Sequence, residues 1–135
     1  MTTRPRQRTG DIVSREEVIA AQASEWSEAA LQSAFIAAAG VSGVRFIYHT
    51  HDSRRSQAGF PDLILLHGAR ALAIEFKRER DRTSPERRAA QAAWLAAFDA
   101  VDGFRSYLFR PSSVFEGEVE KALLWLTGRE GGILK

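Results

Sequence analysis

Two apolar runs separated by four residues constrain this chain more than any other feature. Asp62 to Leu66 is short and nearly all apolar, which suits a buried strand. Ala71 to Lys77 is the second run, and His67-Gly68-Ala69-Arg70 between them reads as a turn. Parallel strands need a long crossover, so two strands this close form an antiparallel hairpin.

Side chains alternate across a strand. In the second run Leu72, Ile74 and Phe76 therefore form one face, a core set. Ala71, Ala73, Glu75 and Lys77 form the other, so Glu75 and Lys77 stand together beside small residues. Alone, that pair describes a solvated strand end just as well as a site. Asp62 adds the second observation. A register symmetric about the turn places Asp62 opposite Glu75. Two carboxylates directly opposite repel, and a divalent cation between them relieves the repulsion. Carboxylate oxygens and water are the ligands that Mg²⁺ or Mn²⁺ prefers. The plainer reading of Asp62 is a turn cap after Pro61.

The other elements follow from caps and periodicity. Ser14 and Glu17 have capping-box spacing for a short helix to Ala23. A second helix starts at Ser24 or Ser27 and ends at Gly40, with Glu28, Leu31, Gln32 and Phe35 on or beside one face. Val44 to Thr50 reads as a strand with Val44, Phe46 and Tyr48 on one side, and His51 to Ala58 as a polar loop. Ser84-Pro85-Glu86 is a helix start, and that helix runs to about Ala100 with Trp94, Leu95 and Phe98 as its apolar face. Arg105 to Arg110 is a fourth strand, broken by Pro111, and a last helix spans Ser113 to Leu126. Tyr48 and Trp94 read as core residues rather than base-stacking platforms. The order α-β-β-β-α-β-α describes an α/β fold, a mixed sheet flanked by helices. The crossover helix makes strands three and four parallel. Residues 1–13 read as a flexible basic arm, 14–128 as one domain and 129–135 as a tail.

With 135 residues, a core needs no disulfide or zinc support. The absence of cysteine excludes disulfides, cysteine nucleophiles and cysteine-ligated zinc or iron–sulfur sites. No apolar run approaches the roughly 20 residues of a membrane span, and no apolar stretch follows the N-terminal arginines as a secretory signal requires. The expected location is cytoplasmic. Net charge is only +2, but the basic excess is concentrated on the N-terminal arm and in residues 45–88, around Asp62 and Glu75. That distribution fits a polyanionic partner.

Gly59-Phe60-Pro61-Asp62, Glu75-Phe76-Lys77, Ser84-Pro85 and Gln91-Ala92-Ala93-Trp94-Leu95, in this order, resemble the VRR-NUC (virus-type replication-repair nuclease) family of the PD-(D/E)XK nuclease superfamily. Glu28 and Gln32 match the family's upstream helix, and Thr50 to Arg55 and Phe109-Arg110-Pro111 match its flanking segments. The resemblance covers about residues 25–126. It implies a restriction-endonuclease-like core and a DNA endonuclease dependent on Mg²⁺ or Mn²⁺. Asp62 and Glu75 would hold the metal with the backbone carbonyl of Phe76 or Ile74, and Glu28 would complete the shell directly or through water. Lys77 would activate the attacking water or stabilise phosphate charge. Gln91 would position water or phosphate, although it also reads as a helix-surface glutamine. His51, Ser53, Arg54, Arg55, Arg78, Arg80 and Arg82 would contact DNA. The family further implies branched DNA as substrate, Holliday junction or flap, a homodimer, and a phage or prophage source.

Two rivals stand beside this reading. His49, His51, Asp52 and His67 are a conceivable zinc set, but no helical His-Glu-x-x-His is present. The second rival is a DNA-binding module of the same fold that has lost cleavage; intact Asp62, Glu75 and Lys77 argue against it.

Overall fold

The computed structural model describes residues 14–50 and 57–129. The basic arm, the loop residues His51, Ser53, Arg54 and Arg55, and the end of the tail lie outside the described residues. Among the described residues nine elements follow one another: α1 (Arg15–Ala23), α2 (Glu28–Val41), β1 (Phe46–His49), β2 (Leu63–His67), β3 (Arg70–Phe76), α3 (Pro85–Asp99), β4 (Phe104–Phe109), α4 (Pro111–Phe115) and α5 (Glu118–Leu126). The sheet order is β1-β2-β3-β4, antiparallel except for β3 and β4, which run parallel through the α3 crossover.

The hairpin is tighter than the four-residue turn expected. His67 pairs with Arg70, so only Gly68 and Ala69 turn the chain. Gly68 has φ +60, the sign a type II′ turn needs at its first central residue. Arg70 extends from this turn to the carbonyl of Trp125, and the guanidinium groups of Arg70 and Arg105 lie 4.8 and 4.4 Å from the Trp125 ring centroid. Those two cations pin α5 to the sheet.

Caps set the helix starts. Ser14 and Glu17 form the reciprocal capping box. Ser27, rather than Ser24, caps α2, and its hydroxyl accepts from the Ala30 N–H. Ser84 caps α3 with Pro85 in the first turn. Pro111 does not merely end β4: with φ preset it opens α4. The single last helix expected from Ser113 to Leu126 is two helices. Gly117, at φ +82, takes a left-handed conformation between α4 and α5 that breaks the helix.

One face of the sheet carries the core. Leu63, Leu65, Leu72, Ile74, Phe76 and Phe109 pack against Leu31 and Phe35 of α2 and Val119, Leu123 and Leu126 of α5. Phe35 meets Phe76 edge-on with ring centroids 5.7 Å apart, a contact worth about 0.5–1.5 kcal/mol beyond area burial. The opposite face carries α3, which lies over β3 and β4. Among the described residues, no helix packs on the β1–β2 end of that face in the way α3 packs on β3 and β4. Phe46 and Tyr48 are 65% and 66% exposed while Val44 is buried, so the expectation that Tyr48 is a core residue is overturned. Ile47 is the β1 residue that packs on the core. Leu66, directly opposite Phe46, is also exposed. No helix among the described residues is long and apolar enough to cross a membrane.

Candidate active site

Each residue of Gly59-Phe60-Pro61-Asp62 has a separate physical task. Gly59 has φ +84, and a Cβ there would lie 2.5 Å from the backbone carbon of Ala90 on α3. Only glycine allows so close an approach. Phe60 packs edge-on against Trp94 and Phe98 of α3, at 5.0 and 6.0 Å between centroids. Pro61 is fully buried, and its carbonyl accepts from the Thr50 hydroxyl at 3.0 Å. The Thr50 N–H then donates to the Asp62 carbonyl at 2.9 Å, which continues the β1–β2 pairing by one residue. The loop is thus docked on α3 and β1 before Asp62 enters the sheet.

The predicted register holds. Leu63 pairs with Ile74, so Asp62 and Glu75 are the next positions along the same ladder. Asp62 Oδ2 accepts the Phe76 backbone N–H at 2.8 Å. A strand residue's N–H and C=O point to the same neighbour, which directs the Phe76 carbonyl toward Asp62 as well. Glu75 is 5% exposed and Lys77 6%. Lys77 Nζ lies 3.5 Å from Glu75 Oε2 and donates to Thr83 Oγ1 at 2.9 Å. Gln91 is buried, not a helix-surface glutamine, and its Nε2 donates to Glu75 Oε2 at 3.1 Å.

Burial dominates the electrostatics. It pushes the Glu75 carboxyl up to about 8, and the Asp62 charge pushes the same way, against the opposing charge and hydrogen bond of Lys77. Asp62 is also raised, by burial first; the Phe76 N–H and the charges of Lys77, His49 and Arg87 oppose the rise. Asp62 Oδ1 and Glu75 Oε1 have no hydrogen-bond partner among the described residues. The pair borders an open cleft of about 260 Å³, lined also by Thr50, Gln57, Arg87 and Gln91. Two adjacent carboxylates with unused oxygens and an accessible cleft fit a Mg²⁺-like ion, which takes one or two carboxylates and keeps several waters.

Glu28 does not join them as a preformed trio. It is exposed at the start of α2, although its charge is felt at Glu75. Among the described residues no three acidic or histidine side chains form a metal-binding group. Of the conceivable zinc set, His51 and Asp52 lie outside the described residues, and His49 and His67 stand apart. His49 pairs with Leu63, four residues along β2 from His67, a separation of about 13 Å.

Behind Lys77 a polar chain leads to β4. Asp81 Oδ1 accepts the Thr83 N–H at 3.1 Å, and Arg110 donates to Asp81 Oδ2 at 2.9 Å. The Arg110 hydrogen bond, foremost, holds the Asp81 carboxyl down to about 2. Arg78 and Arg80 are exposed and line a separate recess with Ser24 and Glu79. Arg82 is exposed on the same connection.

Sequence reasoning missed Arg87 and Thr83, and read His49 only as a conceivable zinc ligand. Arg87 lines the cleft, and its position four residues before Gln91 on α3 was the available signal. His49 contacts Gln32 through their Nε2 atoms and acts on Asp62 by its charge. Thr83 carries no sequence signal of its own.

No curated protein matches the sequence. A solved structure described as a VRR_NUC domain protein superposes with a TM-score of 0.51 at 19% identity, covering 75% of this chain and 90% of that one. At that identity the likeness speaks for the fold. A family model, the VRR-NUC domain, matches residues 2–110, well over half of the 135. The chain belongs to the VRR-NUC domain family of nuclease-type domains.

Proposed function

We propose that this protein is a Mg²⁺- or Mn²⁺-dependent DNA endonuclease whose site is Asp62, Glu75, Lys77 and Gln91. The observation that carries the reading is the buried Asp62–Glu75 pair, with unpartnered oxygens beside a solvent-open cleft. A buried acid pair with no cation costs stability, which a protein tolerates where function needs it. What a divalent cation supplies at such a pair is neutralisation of phosphate charge and a water of lowered pKa. The protein's own groups do the rest. Gln91 and Lys77 fix the Glu75 carboxyl, and the Phe76 N–H fixes Asp62. Lys77, anchored on Thr83, holds a positive charge where phosphate charge develops. Arg87 draws a phosphate into the cleft. Glu28 acts through water rather than by direct contact.

For substrate we favour branched DNA, a Holliday junction or flap, cut by a homodimer; two sites related by a twofold axis address two strands. The loop arginines Arg54 and Arg55, with His51 and Ser53, and the exposed Arg78, Arg80 and Arg82 would hold the flanking duplex. The test is a panel of four-way junction, flap, nicked, linear and single-stranded DNA incubated with Mg²⁺, Mn²⁺ or chelator. Metal-dependent cutting fastest on a branched substrate is expected. If tight binding occurs and nothing is cut with any metal, the inactive binding module replaces the enzyme.

A further inference from the structure

The aromatic side chains of Tyr48 and Trp94 do not fill the core, and neither lines the cleft that holds Asp62 and Glu75. They border a recess of about 330 Å³ whose other walls are Thr50, Gln57 and Phe60, a size at the low end for small-ligand pockets. Three of those walls, Thr50, Gln57 and Phe60, also line the cleft that holds Asp62 and Glu75. The two cavities are therefore neighbours along one surface. Tyr48 precedes Thr50 by two residues, about 7 Å along the strand, and Thr50 is bonded to Asp62.

The walls of the recess offer aromatic rings and polar groups, which a flat, partly polar ring can use. Trp94 Nε1 donates to the Ala58 carbonyl at 3.2 Å, and Phe60 meets the indole edge-on. Those contacts fix the plane of the ring while leaving it partly exposed. Tyr48 is 66% exposed. Gln57 lines the recess and is exposed, and its side-chain amide has no partner among the described residues, which leaves a donor and an acceptor available. An aliphatic partner needs neither oriented rings nor a free amide. A nucleobase uses both, through stacking and edge hydrogen bonds.

We propose that the recess between Tyr48 and Trp94 receives one unpaired base of the DNA strand whose phosphate enters the adjoining cleft. The inference rests on the nuclease reading of that cleft. A base inside a duplex is stacked on its neighbours and cannot reach the recess. One already unpaired at a junction, flap or nick enters with little unstacking cost. Structure specificity thus has a location: the enzyme selects phosphodiesters flanked by an unpaired nucleotide.

The experiment measures DNA binding in chelator, where no cutting occurs. The probes are a duplex with one unpaired 2-aminopurine and a fully paired duplex of equal length. Wild-type protein should bind the first more tightly and quench its fluorescence. Tyr48→Ala, at an exposed position, should weaken that binding about tenfold, equivalent to about 1.4 kcal/mol and within the range for base–aromatic stacking. It should leave paired-duplex binding unchanged, and Tyr48→Trp should restore both affinity and quenching. Equal loss on both probes, no loss on either, or no binding of the unpaired probe would overturn the inference. So would a loss that follows dissociation of a dimer in sedimentation, because the patch would then cover a second copy of the chain. Because binding is read without cleavage, failure of the nuclease reading shows separately, as absence of cutting with metal.

Discussion

Replacing Glu75 with glutamine removes the charge that the fold accommodates least well. The variant keeps the shape of the side chain and an oxygen for the Gln91 amide, and Lys77 keeps Thr83. Glu75 titrates near 8 in the folded protein instead of at its ordinary 4.5. Between those values the native state holds a proton that the unfolded chain has lost. Native stability therefore falls as pH rises through this window and levels off above it. A tenfold change in proton affinity is worth about 1.4 kcal/mol. Solvent in the open cleft screens part of the total, which leaves a cost of about 4 kcal/mol. Glu75→Gln lacks that titration. In chelator, its stability relative to wild type should grow by this amount between pH 4.5 and 9; groups that do not feel the Glu75 charge cancel in the difference, whereas Asp62, coupled to Glu75, adds its own change. Urea unfolding at four pH values reads it; with an m-value of about 2 kcal/mol/M, the midpoints should diverge by about 2 M. Parallel midpoints across the range would show the burial argument to be wrong, because Glu75 would then ionise as readily in the native state as in the unfolded one.

Other perturbations follow from the same geometry. Gln91→Ala should lower cleavage about 10–100-fold with the fold intact, read as initial rates beside an unchanged circular dichroism spectrum. Arg87→Ala should weaken DNA binding and reduce the slope of log affinity against log salt by about one, read by binding at several salt concentrations. Gly59→Ala should destabilise by at least about 1–2 kcal/mol from its left-handed backbone alone, with more from the clash on Ala90, read by denaturant unfolding.

Much of this architecture was legible in the sequence, for local reasons. The short Gly68-Ala69 connection leaves β2 and β3 one pairing, and alternation then places Asp62 and Glu75 together. Ser14-Glu17 and Ser84-Pro85 declare their helices because the capping groups lie next to the backbone they satisfy. The errors arose where distant packing decides. Alternation along β1 shows that its two faces differ, but which face a helix covers depends on where α3 lies over the sheet. That is why Phe46 and Tyr48 emerged exposed and Ile47 turned inward. Gly117 interrupts a stripe that is otherwise continuous in period, and only its positive φ reveals the break. In the site, Asp62, Glu75 and Lys77 came together as their spacing implied and Gln91 joined them as the family resemblance implied, whereas Arg87 and His49 depend on how α3 and β1 meet the hairpin.

If the Asp62–Glu75 pair makes this protein a metal-dependent nuclease, cutting must depend on both carboxylates and on the cation together. The initial rate of cleavage of a labelled four-way junction against Mn²⁺ concentration, for wild type, Asp62→Ala and Glu75→Ala, tests this in one measurement. Wild type should cut with saturable dependence on Mn²⁺ and not at all in chelator. Neither variant should cut, while DNA binding by both stays nearly intact. Cutting that persists in chelator, or full activity in either variant, would contradict the assignment.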